Sequence, residues 1–527
     1  MLFSCARVGA PNGGTRDSLA PKFLGSNIDT TRLNVSRTVK ELRLDFDEYV
    51  MLKDFNKNFN VSPPIKKIKK VIPSNLANKY VLIQWEDTLQ ANTTYNFNFG
   101  NAIVDNNESN PLPYFNFAFS TGDKIDDLFV SGTVKDAMTL IKENQTAKDN
   151  KMVVGLYKAG ENLDYKQKPD YITKVDEENY FELNFLPKGE FVIIAFDDEN
   201  QNSVYDAGKE KVSFLKEKIT LDSTSVRGLK LKLYPSKKVV KYKESKAING
   251  GLLMTFEGNP ETVDVKSLSE ELKDFKVTHA KRSDSVNIWF DAEKSNLGGT
   301  VSKQLKLSYF TPTISDTISV SYKAVKDEFK LSNEAGNLIA PENNFVINTS
   351  LPIENLNTSS WKLESDSIAQ DFTAKISEKN PFKILVNSSF KPTKKYVLTI
   401  PKETVSSYYS SNDKSFQFQF EIDKPENYGS FTAVIKNKPT AKFWVELTNE
   451  KGEILYSQFT NASEVSFKNL KPATYIARIR VDNNGNGFWD EADFAQNIAA
   501  EDVYIFEKEI NVRPLWEIKE DWELTNR

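Results

Sequence analysis

Tyr95-Asn96-Phe97-Asn98-Phe99 alternates polar with apolar at every step. A period of two puts one face of a strand in a core and the other toward solvent. The same beat recurs in Glu41-Leu42-Arg43-Leu44-Asp45-Phe46, in Phe115-Asn116-Phe117-Ala118-Phe119 and in Phe416-Gln417-Phe418-Gln419-Phe420. Short strands of this kind, punctuated by Gly, Asn, Asp and Pro, predict an all-β chain of antiparallel sandwiches. Helical periodicity is rare, and Val265 to Phe275 (VKSLSEELKDF) is the best candidate for a short amphipathic helix.

The chain has 527 residues, room for about four or five domains at roughly 100–150 residues each. The expected division is a tether over 1–19, sandwiches over 20–121, 126–236, 247–342, 343–424 and 428–515, and a polar, aromatic tail over 516–527. Lys237 to Lys246 is charged and reads as a linker.

With 69 basic and 73 acidic residues the net charge is −4. That balance gives no reason to expect a nucleic-acid partner, which calls for a basic bias or stripe. The run Lys66, Lys67, Lys69, Lys70 alternates with Ile65, Ile68, Val71 and Ile72 and reads as a solvated strand or loop face.

One His, His279, and one Cys, Cys5, exclude more. His279 lies in Phe275-Lys276-Val277-Thr278-His279-Ala280, a strand-like stretch with no catalytic motif around it. Zinc sites need clustered His and Cys, and one Cys allows no disulfide within the chain. Nucleophile elbows, Walker loops and HExxH are absent. Acidic clusters such as Asp45, Asp47, Glu48 and Asp197 to Glu199 are what chance supplies among 73 carboxylates. The expectation is a protein that is not an enzyme.

A repeat is the most specific internal signal. Asn184-Phe185-Leu186-Pro187-Lys188-Gly189-Glu190-Phe191 leads into a strand and then Asp198-Glu199-Asn200-Gln201-Asn202. Lys468-Asn469-Leu470-Lys471-Pro472-Ala473-Thr474-Tyr475 leads likewise into Asp482-Asn483-Asn484-Gly485-Asn486. Asp198 to Asp482 and Asp206 to Asp490 are both 284 residues apart.

Each copy carries oxygen side chains at loop positions one, three, five and nine: Asp198, Asn200, Asn202 and Asp206, then Asp482, Asn484, Asn486 and Asp490. That spacing converges hard oxygens and suits Ca2+. The carbonyl of Val204 or Phe488 stands at position seven, and Gly487 supplies a sharp turn at position six where the first copy has Ser203. Position twelve holds Asp493 in the second loop, a further candidate ligand, and Lys209 followed by Glu210 in the first. The competing reading is a metal-free Asn/Asp turn between strands. A bound ion would stiffen the loop and do no chemistry.

Leu2-Phe3-Ser4-Cys5 resembles the end of a bacterial lipobox, which makes Cys5 a candidate lipidation site and implies a start upstream of Met1; the competing reading is a soluble protein with an incidental Cys near its terminus. Ala6 to Ala20 reads as a flexible tether. No acidic run follows Cys5, and surface-export signals of lipoproteins carry one there, so a periplasm-facing anchor is expected.

Four stretches carry a wider resemblance. They are Gly9-Ala10-Pro11-Asn12-Gly13-Gly14-Thr15-Arg16-Asp17 with Ala20-Pro21, then Leu44 to Val50, then Leu89 to Tyr95 with Gly100 to Glu108, and lastly Val481 to Asp490 with Val512 to Trp516. In these the chain resembles the Ig-like-domain lipoproteins of the Bacteroidota cell envelope. The resemblance implies a bacterial Ig-like first domain, transthyretin-like (carboxypeptidase-regulatory-type) second and fifth domains, an outer-membrane lipoprotein and no catalytic residue. The expected role is a scaffold or accessory subunit for other envelope proteins, an outer-membrane β-barrel among them. The alternative is a cell-surface glycan-binding or adhesion module, for which Trp85, Trp361 and Trp489 are the candidate aromatics.

Overall fold

The computed structural model describes residues 17–140, 151–160, 163–325 and 328–524. Cys5 and most of the tether lie outside the described residues. The regular structure of the described chain is almost wholly strand, as the alternation predicts. It divides into two compact units, Met1–Ser236 with Glu491–Ala500, and Lys237–Asp490 with Glu501–Arg527. Among the described residues no helix is long and apolar enough to cross a membrane.

In the first unit, the N-terminal sandwich packs two sheets. One runs Phe23–Ser26, Glu41–Leu52, Asn78–Trp85, Ile68–Ile72, with Ile103–Asp105 also on Glu41–Leu52. The other runs Asn60–Ser62, Thr94–Gly100, Phe115–Ser120. Leu42, Leu44, Phe46, Ile83, Trp85, Tyr95, Phe97, Phe99, Phe117 and Phe119 fill the space between them. Ile68–Ile72 is an edge strand, and its exposed Lys69 and Lys70 guard that edge against pairing with other chains.

The second sandwich of this unit pairs Tyr180–Leu186 with Leu128–Asp136, and Leu128–Asp136 in parallel with Val226–Leu233. Its other sheet runs Tyr171–Lys174, Met152–Lys158, Gly189–Asp197, Val212–Phe214, with Ile219–Leu221 also on Gly189–Asp197. Gly132 is needed at the parallel pair, because a Cβ there would lie 2.2 Å from the Leu229 carbonyl oxygen.

The second unit holds three sandwiches. The first joins Lys241–Ile248, Gly251–Glu257, Ser285–Trp289, Lys276–His279 to Asp264–Ser267, Lys303–Phe310, Ser315–Tyr322. The next is built on Phe345–Thr349 and Asn380–Ser388 on one side and on Phe416–Ile422 and Lys395–Ile400 on the other. The last repeats the parallel pattern: Glu464–Leu470, Gly429–Lys436 and Glu517–Glu523 against Ile454–Thr460, Phe443–Thr448, Ala473–Val481 and Val503–Ile505. Its strands match those of the second sandwich in order, direction and partner.

Four expectations need correcting. Lys237 to Lys246 is not a linker, since Lys241–Ile248 is an edge strand. Its lysines point outward while Val240, Tyr242 and Ala247 pack on the core. Val265 to Phe275 is not a helix but the strand Asp264–Ser267 followed by a turn. There the Ser267 hydroxyl accepts the Ser269 N–H, an alternative partner that draws the backbone away from helix. Leu331–Asn333 and Leu338–Ile339 pair with strands of the following sandwich, so they do not belong with 247–342. Residues 516–524 are not a free tail but pack back on the last sandwich: Glu517–Glu523 is a parallel edge strand on Gly429–Lys436, and its Trp522 sits in the core.

Candidate functional site

The two acidic loops fold alike. Each follows the central strand of its sheet, Gly189–Asp197 or Ala473–Val481. The carboxylate of Asp198 is buried and accepts the N–H groups of Asn202 and Ser203, both at 3.0 Å. Asp482 is buried too and accepts those of Asn486 and Gly487, again at 3.0 Å. Asn200 Nδ2 donates to Asp206 Oδ2 at 2.6 Å, and Asn484 Nδ2 to Asp490 Oδ2 at 2.5 Å. Asn202 Oδ1 accepts the Val204 N–H, and Asn486 Oδ1 that of Phe488. Gln201 and Ser203 sit at φ 58° and 61°, where the second loop has Gly485 and Gly487 at 71° and 80°. The glycines hold this left-handed backbone without strain; the first loop carries it with side chains.

A second acid closes each loop. Glu210 Oε1 accepts the Glu199 N–H at 3.1 Å, and its Oε2 accepts that of Asp206 at 2.9 Å. Glu501 Oε1 accepts Asn483 N–H at 2.7 Å, and its Oε2 accepts that of Asp490 at 2.9 Å. Burial pushes the Glu210 carboxyl up to about 7, and it raises that of Glu501 as well. Both residues play one part, yet they stand 291 apart rather than 284. The extra residues fall between Asp490 and Glu501.

Asp493, the further candidate ligand at position twelve, does not join the loop. It belongs to Glu491–Ala500, which packs in the first unit, where its Oδ1 accepts the Gln496 N–H at 3.1 Å. Sequence reasoning missed Glu210 and Glu501 as a pair. The signal that would have found them is an alignment allowing a gap after Asp490.

The loops differ in their surroundings. Arg282 bridges Asp490 at 2.7 Å and Glu261 at 2.5 Å, with its guanidinium 4.7 Å from the Phe488 ring centroid. Burial pushes the Asp490 carboxyl up, but bonds from Asn484, Asn486 and Arg282 outweigh it and hold the group below its ordinary value. The second loop thus already has a cation on Asp490. Among the described residues no basic side chain pairs with Asp206, whose carboxylate accepts from Asn200. The first loop's donor set suits a hard cation once Asn200 turns its amide oxygen inward. Among the described residues no three His, Cys, Asp or Glu side chains converge as a metal cluster.

The outer face of the same sheet has opposite character in the two copies. In the first unit Val153, Ile172, Ile194, Phe196 and Val212 make it apolar, and Tyr205, Ala492 and Phe494 cover it. Phe494 lies 4.4 Å from Tyr165 and 5.1 Å from Phe214 between ring centroids. In the C-terminal copy the positions of Ile194 and Phe196 are taken by Arg478 and Arg480. Both arginines grip Glu446, which is wholly buried.

The other nominated groups are structural. His279 Nε2 lies 3.0 Å from the Ser283 carbonyl oxygen. Trp85 and Trp361 are core residues and offer no sugar platform, the latter donating to Thr404 Oγ1 at 2.9 Å. Trp489 donates to the Glu501 carbonyl at 3.1 Å and lies 5.9 Å from the Arg480 guanidinium.

Residues 17–121 match the bacterial Ig-like domain family. No curated protein matches the sequence. Among solved structures, the surface-layer protein SbsC (domains 1–6) is 12% identical, covering 94% of this chain and 67% of its own, at a TM-score of 0.16. The Bacteroides ovatus protein SGBP-B of a mixed-linkage glucan utilization locus, solved with a mixed-linkage heptasaccharide, is 10% identical, covering 74% and 97%, at a TM-score of 0.21. Scores this low say nothing of arrangement or ligand.

Proposed function

We propose that this chain, whose first sandwich is a bacterial Ig-like domain, is a non-enzymatic scaffold or accessory subunit of the bacterial cell envelope. In this reading Cys5 carries the lipid anchor, the outer membrane holds it, and the sandwiches face the periplasm. Other envelope proteins, including an outer-membrane β-barrel, are its partners. The observation that supports the reading is what the repeated sandwich does with its distinctive groups. In the first unit the outer sheet face is closed by Phe494, and in the second unit the acidic loop is clamped by Arg282. Groups committed to joints serve rigidity, whereas a catalytic site leaves its acids and bases open to substrate.

In-cell crosslinking followed by purification of the full-length protein tests this. A stoichiometric outer-membrane β-barrel is the expected co-purifying species. Recovery of the protein alone, or its cleavage by protease added to intact cells, overturns the periplasmic scaffold in favour of a surface adhesion module.

The first acidic loop is proposed to take Ca2+ through Asp198, Asn200, Asn202 and Asp206, and the Arg282-clamped second loop to bind it more weakly. Calcium raising the melting temperature of the full chain, with the rise lost in Asp198→Asn, is the expected result. No shift between calcium and a chelator overturns it.

A further inference from the structure

The first unit contains a cleft of about 1170 Å³ between the sheet Asn60–Ser62, Thr94–Gly100, Phe115–Ser120 and the strands Tyr171–Lys174 and Tyr180–Leu186. At its base the Ile172 N–H donates to Ser62 Oγ at 3.2 Å, fixing one wall to the other. One wall is a lattice of amides. Asn60 stands opposite Asn98, Ser62 opposite Asn96, and Asn98 opposite Asn116. These residues occupy the face opposite Val61, Phe97 and Phe117, so the core does not call for them. Asparagine is depleted in strands, and four on one sheet face need another reason.

Two of those amides are incompletely bonded. The side-chain oxygens of Asn60 and Asn96 are buried, and no donor among the described residues reaches them; Asn96 as a whole is only 8% exposed. On the facing wall Lys174 forms no ion pair among the described residues.

The lining tells against other ligand classes. Four lysines and six carboxylates face the cleft, so neither a polyanion nor a polycation fits it. A lipid tail needs a continuous apolar wall, and here asparagine and charged side chains interrupt it. Tyr114 and Tyr180 stand at the lining with exposed rings, 69% and 39% accessible.

We propose that this cleft binds a segment of neutral oligosaccharide. Each amide offers an acceptor and two donors, matching hydroxyl groups that both donate and accept. Hydroxyls of the oligosaccharide supply the donors that Asn60 and Asn96 lack once those side chains turn toward the cleft, and they give Lys174 an acceptor. Tyr114 and Tyr180 present apolar ring faces to the sugar C–H surface. The volume lies just above the roughly 300–1,000 Å³ of small-molecule pockets and takes a few sugar rings. This binding activity goes beyond the scaffold reading and does not depend on it.

Affinity electrophoresis of the full chain in gels of soluble glucan, mannan, galactan, xylan or polyuronate tests the proposal. Retardation by at least one neutral polysaccharide is expected. Asn60→Ala and Lys174→Ala should each weaken it about tenfold, the scale of one lost hydrogen-bonded contact, while Trp516→Ala, on an exposed side chain outside the cleft lining, leaves it unchanged. Lys174 is exposed, so its variant folds and keeps the test decisive should Asn60→Ala be unstable. Three results overturn the proposal: no retardation by any neutral polymer, retardation by polyuronate alone that salt abolishes, or retardation that neither variant reduces.

Discussion

Replacing Glu446 with alanine should be among the most damaging single changes in the C-terminal sandwich. Glu446 lies on Phe443–Thr448, directly opposite Arg478 on Ala473–Val481. Its Oε2 accepts Arg478 Nε at 2.9 Å and Nη2 at 2.7 Å, and its Oε1 accepts Arg480 Nε at 3.1 Å. The Arg478 side chain is 8% exposed and that of Arg480 23%. Without Glu446, Arg480 regains water and keeps Trp444 and Trp489 near its guanidinium. Arg478 has neither escape. An uncompensated buried charge costs about 3–5 kcal/mol, a large share of the roughly 5–15 kcal/mol that holds a domain together. The chain has several sandwiches, so one melting curve will not isolate this term. Hydrogen exchange of peptides spanning 443–448 and 473–481 does. At 1.4 kcal/mol per decade, protection there should fall roughly 10²–10⁴-fold, with the first unit unchanged. The double variant Glu446→Leu with Arg478→Met removes both charges together and should recover most of the loss. The other copy already has Ile194 in the place of Arg478. A Glu446→Ala loss below about 1 kcal/mol, the range of an exposed pair, would refute the reasoning. So would a double variant no better than the single one.

Four further outcomes follow from the same geometry. Gly487→Ala puts a Cβ on a residue at φ 80° and should cost about 1 kcal/mol, whereas Ser203→Gly at the matching position should be neutral or stabilising; urea unfolding compares them. Arg282→Ala removes the clamp on Asp490 and Glu261 and should raise hydrogen exchange across 482–490, with a loss of about 1–3 kcal/mol. Phe494→Ala empties the cover of an apolar sheet face and should cost about 3–5 kcal/mol, read as faster proteolysis within 491–500. Burial, then the bond to Asp423, pushes the Tyr428 hydroxyl from its ordinary 10 up to about 12. Because the folded state favours the neutral phenol, its stabilising contribution is whole below pH 10 and fades as pH rises through 12; Tyr428→Phe should flatten that alkaline loss in a melting-temperature series.

The loops show how far reading side chains along the chain can go. Asp198, Asn200, Asn202 and Asp206 were legible as one set because a tight turn gathers neighbours in sequence, and the structure does link Asn200 to Asp206. Asp482, Asn484, Asn486 and Asp490 were legible for the same reason. Glu501 was not, because the residues before it leave the loop and pack in the first unit. Counting to position twelve therefore landed on Asp493. The amide lattice is visible in Tyr95 to Phe99 only as the polar half of the alternation, which by period alone faces away from the core.

By itself the sequence determined the class of fold and the repeat. Alternation is a local property: side chains of a strand point up and down by turns, so one face is core wherever apolar residues recur every second position. The repeat offset is likewise readable without coordinates. Only the tertiary structure decided what each outer face meets. Ile194 and Arg478 hold the same place on the same strand, yet one lies beneath Phe494 and the other grips Glu446. Such partners are fixed by strand register and by chain segments far away in sequence. A pattern of period two encodes which way a side chain points and leaves open what stands across from it.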